Sequence, residues 1–153
     1  MTAPAHYAFG AASALFIQNF IPAESSQETR MVCAFLAAVV SHVFADTIPH
    51  AEHFLRGHYL AIELVAETIL MSVVLVGASR SLFMTAIILS GMIGAAIPDG
   101  LTMLNRNVDW PILYWINSKI HATHGKLNLF YANLWIQALI TALCAYYVRI
   151  KSA

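Results

Sequence analysis

Five long apolar stretches constrain this chain more than any other feature of its sequence. Each has roughly the 20 residues that an α-helix needs to cross the hydrocarbon core of a bilayer. Only 10% of the 153 residues are charged, against about 25% in soluble domains. The sequence therefore predicts an all-α integral-membrane protein, a polytopic bundle of about five transmembrane helices in a single domain over residues 1–153. The predicted spans are 5–21, 29–47, 59–76, 82–97 and 127–148.

The segment 101–126 is too polar to cross a membrane, and we expect it to carry a short interfacial helix. Asp109 precedes Trp110-Pro111, an order typical of an N-cap followed by proline in the first turn. Tryptophan also favours the membrane–water interface. Upstream, Pro98-Asp99-Gly100 is a turn pattern that predicts the end of the fourth helix.

Composition also limits the classes of binding partner that we expect for this chain. The formal net charge is zero, so nothing indicates nucleic-acid binding. The expected partners are the lipid bilayer and either other membrane proteins or a second copy of the chain. The N-terminus lacks the basic region of a signal peptide, so we expect the first apolar segment to be retained.

The second apolar stretch ends in a group of polar side chains. His42 and Asp46 are four residues apart, which places them on one face of a helix. Pro49 then ends the helix, and His50 follows it. This pattern fits two ligands reaching for one cation, or a helix end whose polar residues meet water.

If five spans alternate across the membrane, the metal-binding residue types collect on one side. All seven histidines and six of the eight acidic residues fall there, and only Glu24 and Glu28 do not. The basic residues divide evenly, so they do not orient the chain, and the asymmetry predicts a polar site in one face of the bundle. The candidate metal ligands are His6, His42, Asp46, His50, Asp99, His121 and His124. For His6 and Asp99 the plainer interpretations are an interfacial histidine and a turn residue.

Two glutamates are the candidate catalytic residues. Glu63 and Glu67 lie about 6 and 12 Å into the third span at 1.5 Å per residue. A carboxylate at that depth costs several kcal/mol unless it is paired, protonated or bound to a cation. Each could act as a general base or orient a histidine, whereas the alternative for Glu67 is a protonated carboxyl bonded to a neighbouring helix.

Four motifs give the chain a resemblance to a known family. They are a histidine before a small-residue helix (His6–Gly10), Ser-His-x3-Asp-x2-Pro-His (Ser41–His50), Gly-x3-Pro-Asp (Gly94–Asp99) and a late pair (His121, His124). In this order they resemble small bacterial integral-membrane proteins described as membrane-bound metal-dependent hydrolases. The resemblance implies a divalent-metal site, zinc-like, in the bacterial inner membrane. Leu101 stands where that family tends to have a further aspartate, and His-Ala-Thr-His-Gly where it tends to have His-Arg-Gly-x-Thr-His-Ser.

The residues leave three functions open. The first is a membrane-embedded hydrolase with Zn²⁺, or with Mn²⁺ or iron, acting on an amphiphilic phosphoester. The second is a non-catalytic accessory subunit of a larger membrane complex. The third is a haem or redox protein, for which His6 and His42 could supply two axial ligands, although the neighbouring carboxylates argue against haem.

Overall fold

The computed structural model describes residues 2–48, 58–77, 79–105, 110–112, 115, 118 and 130–152. Within these residues all regular structure is helical, which confirms the predicted all-α class. A 3₁₀ turn, Gln18–Phe20, continues the first helix. The helices are α1 (Ala3–Ile17), α2 (Gln27–Thr47), α3 (His58–Val76), α4 (Leu82–Asn105) and α5 (Phe130–Ser152).

Three of the described helices are long and apolar enough to cross a membrane. The qualifying segments are Gln27–Asp46 in α2, Tyr59–Val76 in α3 and Leu82–Leu104 in α4. Large apolar side chains stand exposed along these helices, including Val40, Ile69 and Ile93. Exposed side chains of this kind suit a lipid environment, so these helices have the character of a membrane protein.

The predicted turn at Pro98-Asp99-Gly100 is wrong, because α4 continues through it to Asn105. A proline inside a helix loses only its own N–H bond and displaces the carbonyl four residues back. Pro98 is buried in the bundle, and the hydroxyl of Thr102 donates to its carbonyl at 3.1 Å. Tertiary packing thus overrides the local turn preference. It also shortens the predicted interfacial segment, whose residues Trp110 and Trp115 are exposed.

The helices α1, α2 and α4 pack against one another through small residues. A Cβ atom added to Gly10 would lie 2.5 Å from the Cβ of Ala95, and one added to Gly94 would lie 2.5 Å from the carbonyl oxygen of Phe35. These helix backbones are therefore in direct contact, as small residues permit in membrane bundles. The contacts bring the first turns of α1 next to the last turns of α2 and to the C-terminal half of α4.

The other two helices lie against α1. The Tyr7 hydroxyl and the Thr68 hydroxyl on α3 are 2.8 Å apart. Because Thr68 already donates to the Leu64 carbonyl at 2.7 Å, Tyr7 is the donor. At the start of α1 the backbone N–H of Thr2 donates to the buried side chain of Gln137 on α5 at 2.7 Å. These bonds hold the N-terminal end of α1 in place.

Candidate metal centre

Four side chains from three helices meet at one end of the α1, α2 and α4 group. His6 comes from the second turn of α1, His42 and Asp46 from the end of α2, and Asp99 from α4. His6 is 2% exposed, and His42 and Asp46 are 0% exposed. The side chain of Asp99 is 43% exposed. The cluster is thus closed by protein around three of its members and open at the fourth.

Each imidazole Nε2 atom faces both carboxylates. His6 Nε2 lies 3.3 Å from Asp46 Oδ1 and 3.9 Å from Asp99 Oδ2. His42 Nε2 lies 3.2 Å from Asp46 Oδ2 and 3.6 Å from Asp99 Oδ1. The two rings are stacked, with centroids 4.1 Å apart and planes inclined by 15°. Because the rings are stacked, both Nε2 atoms point into the same small volume next to the two carboxylates.

Two of these four distances match the spacing of ligands around a metal ion, and the two to Asp99 are longer. Nitrogen and oxygen ligands about 2.0–2.1 Å from a tetrahedral zinc ion lie about 3.3–3.4 Å from one another. The two imidazole contacts of Asp46, at 3.3 and 3.2 Å, fall at that value. His6, His42 and Asp99 also each offer one ligand atom within 4.8 Å of the others. The group could therefore hold one metal ion with little movement of the side chains.

A backbone carbonyl sets the orientation of His42. Its Nδ1 atom lies 2.7 Å from the carbonyl oxygen of Ala95 on α4. A carbonyl oxygen can only accept, so Nδ1 carries the proton in this hydrogen bond. In the neutral ring the lone pair then sits on Nε2, which faces Asp46 and Asp99. In this tautomer Nε2 is the ring atom that could bind a metal ion.

His6 differs from His42 in its support. Its Nδ1 atom is buried and makes no hydrogen bond to any residue that the structure describes. Metal-binding histidines usually donate the second ring N–H to a protein acceptor, which fixes the ring. Among the described residues, the Ala95 carbonyl gives His42 this support. His6 is held by packing against the His42 ring.

The structure gives less information about the other predicted site residues. His50, His121 and His124 lie outside the described residues. Glu63 and Glu67 are half-buried on α3, and they are not part of the described His6, His42 and Asp99 group. Their catalytic role stays a prediction. The residue that sequence reasoning missed is Ala95, because a backbone acceptor has no side-chain signature.

Comparisons with known proteins add no family or function to this geometry. No protein-family model, no curated protein and no solved structure matches the chain. The interpretation of the site therefore depends on the chemistry of the four side chains themselves.

Proposed function

We propose that the chain is a membrane-embedded metal-dependent hydrolase that acts on an amphiphilic phosphoester. The observation that carries the proposal is the convergence of His6, His42, Asp46 and Asp99, whose Nε2 and carboxylate oxygen atoms lie 3.2–3.9 Å apart. The motif resemblance to membrane-bound metal-dependent hydrolases points the same way. Two imidazoles and two carboxylates suit Zn²⁺, and the same donors also bind Mn²⁺ and Fe²⁺.

The position of Asp46 at the end of α2 favours a cation in this cluster. Asp46 is fully buried in the last turn of α2, which carries no basic residue. The C-terminus of a helix bears about half a negative charge, so a carboxylate there is disfavoured and a cation is favoured. Asp99 adds a second carboxylate to the same volume. A divalent cation between the four side chains would compensate both carboxylates and accept both imidazole lone pairs.

The described residues would have different roles in such a site. A bound divalent ion would polarise a phosphoryl oxygen and supply an activated water at neutral pH. The four side chains of the cluster would hold the ion, with Asp46 on its buried side and Asp99 on its exposed side. The exposure of Asp99 leaves an approach for water and substrate. Glu63 or Glu67, on the helix next to α1, serves as general base or orients a histidine.

An apolar groove supports an amphiphilic substrate. It has a volume of about 610 Å³ and runs between α1 and α2, on the outward surface. Its lining includes Phe9, Ser41 and Phe44 at one end and Phe16 and Cys33 at the other. The first three belong to the same turns of α1 and α2 as the histidines and Asp46. A single acyl chain in this groove would place its polar headgroup at the level of the cluster.

Helix lengths support five membrane crossings with the site at one face. The 15 residues of α1 and the following 3₁₀ turn span about 28 Å, and the 23 residues of α5 span about 35 Å. Both lengths are close to the ~30 Å of a hydrocarbon core. In this arrangement the site lies near one surface of the membrane. From the motif resemblance we expect this to be the bacterial inner membrane.

Metal content tests the site directly. Detergent-purified protein would be analysed by elemental mass spectrometry beside His42→Ala and Asp46→Asn, with Glu28→Gln as the control. Glu28 is an exposed carboxylate at the opposite end of α2. We expect about one equivalent of zinc, manganese or iron in the wild type and the control, and its loss from both site variants.

Activity is tested on the same samples with short- and long-chain alkyl phosphates. Metal-dependent release of phosphate that disappears in His42→Ala would support hydrolysis. Metal without turnover would overturn the hydrolase and leave a metal-binding accessory subunit. No metal in any sample would overturn the site itself.

A further inference from the structure

The segment Gly94–Asp99 of α4 contacts the site in three ways. Gly94 touches the backbone of α2, the Ala95 carbonyl accepts from His42, and Asp99 faces both imidazoles. Pro98 lies inside this helix and is buried. We propose that Pro98 is a positioning residue, which opens the backbone of α4 so that the Ala95 carbonyl accepts the Nδ1 proton of His42 and fixes the tautomer of that ring.

The first step is the effect of proline on the carbonyls one turn earlier. In a regular helix the carbonyls of Gly94 and Ala95 accept from the N–H groups of residues 98 and 99. Pro98 has no N–H, and its ring displaces the Gly94 carbonyl. Although α4 remains helical through Pro98, we infer that the loss of this N–H loosens the turn, since proline is a common cause of helix opening and of carbonyl tilt. The Ala95 carbonyl then becomes accessible to a side-chain donor from the neighbouring helix.

The second step is the approach of α2. A Cβ atom on Gly94 would lie 2.5 Å from the Phe35 carbonyl oxygen and 3.0 Å from the Ala38 Cβ. The absence of this atom lets the two backbones meet. His42 lies one turn after Ala38 on the same face of α2. Its ring therefore arrives beside the opened turn of α4, where Nδ1 lies 2.7 Å from the Ala95 oxygen.

The third step is the consequence for the cluster. With Nδ1 donating to Ala95, the Nε2 atom faces Asp46 at 3.2 Å and Asp99 at 3.6 Å. A ring in the other tautomer would turn an N–H toward the metal position and could not bind the ion there. Loss of an outer partner of this kind costs about 10–100-fold in metal affinity. The effect on affinity rests on the proposed function, whereas the tautomer of the metal-free ring does not.

Substitution of the proline tests this route. Pro98→Ala restores the missing N–H with a residue of high helix propensity, so the variant keeps its helix. The matched control is Ile97→Ala, which changes the preceding exposed side chain and retains the proline. Metal-free protein with ¹⁵N-labelled histidine rings would be studied by NMR in detergent, with His42→Gln identifying the His42 signals. Zinc affinity would be measured on the same three proteins by competition with a chelating dye.

We expect the wild type and Ile97→Ala to carry the His42 proton on Nδ1 and to bind zinc equally. Pro98→Ala should show both tautomers and bind zinc about 10–100-fold more weakly. A wild-type ring protonated on Nε2 alone would overturn the proposal, and so would an unchanged tautomer in Pro98→Ala, whatever its affinity. A changed tautomer in a chain that binds no zinc would support the role of Pro98 and overturn the proposed function instead.

Discussion

Asp99 allows the ligand role of a site residue to be separated from its packing role. Its side chain is 43% exposed, whereas His6, His42 and Asp46 are almost fully buried. Water can solvate an amide at this partly exposed position, so replacing the carboxylate should cost less than a change at the three buried positions, near the low end of the usual range of about 0.5–3 kcal/mol. We therefore expect Asp99→Asn to unfold at nearly the wild-type temperature in the absence of metal.

With metal present the two proteins should differ. At a free zinc concentration 100 times Kd, binding stabilises the wild type by about 2.7 kcal/mol. Loss of an outer partner weakens metal binding by up to about 100-fold, and loss of a direct ligand such as the Asp99 carboxylate should weaken it at least as much. At about 100-fold weaker binding the same zinc concentration gives only about 0.4 kcal/mol. At about 2–4 °C per kcal/mol for a chain of this size, zinc should raise the Tm of the wild type by about 5–11 °C and that of the variant by about 1–2 °C.

Thermal unfolding in detergent, followed by circular dichroism with and without zinc, measures these shifts. Glu28→Gln serves as the control, since this exposed carboxylate lies at the other end of α2. An equal zinc-induced shift in Asp99→Asn and the wild type would refute the reasoning. A large loss of stability in the metal-free variant would also refute it, because Asp99 would then have a structural role.

Two further predictions concern packing and the groove. Gly91→Val should lower the Tm by about 2–12 °C, because an added Cβ would lie 2.6 Å from the Cβ of Ala14 and overpacking costs about 1–3 kcal/mol. Gly100→Ala is its control, since nothing lies within 4 Å of a Cβ there, and its Tm should stay equal or rise. Ala37→Trp should fill the groove and reduce labelling by a photoreactive alkyl phosphate at least tenfold while metal content stays unchanged. The control Ala66→Trp, on the exposed surface of α3, should label normally, and equal labelling of both variants would exclude the groove as the chain-binding site.

The sequence predicted the helices well because hydrophobic length is a local property. The stretch 29–47 corresponds to α2 over Gln27–Thr47, and 59–76 corresponds to α3 over His58–Val76. The four-residue spacing of His42 and Asp46 also places both side chains in one cluster, as helix periodicity requires. Counting the sides of the membrane placed His6 and Asp99 near them, and the structure brings all four together.

The structural features that the sequence did not predict depend on contacts between helices. The turn rule for Pro98-Asp99-Gly100 describes an isolated chain, whereas in the bundle α4 continues to Asn105. The Ala95 carbonyl accepts from His42 where α2 approaches at Gly94, and no residue pattern encodes that contact. Five predicted site residues, Glu63, Glu67, His50, His121 and His124, remain predictions, because the described residues do not test their roles.

The contact between α1 and α4 closes one route by which an ion could leave the cluster. Gly10 lies one turn below His6, and a Cβ there would already lie 2.6 Å from the Gly91 carbonyl oxygen. A gap that cannot admit a methyl group cannot admit a water molecule of about 1.4 Å radius, so the seam between these helices offers no wet path below the cluster. Among the described residues, Asp99 marks the exposed side of the cluster, from which an ion would enter and leave. The contact at Gly10 and Gly91 would keep such an ion from passing between α1 and α4 toward the other face of the membrane.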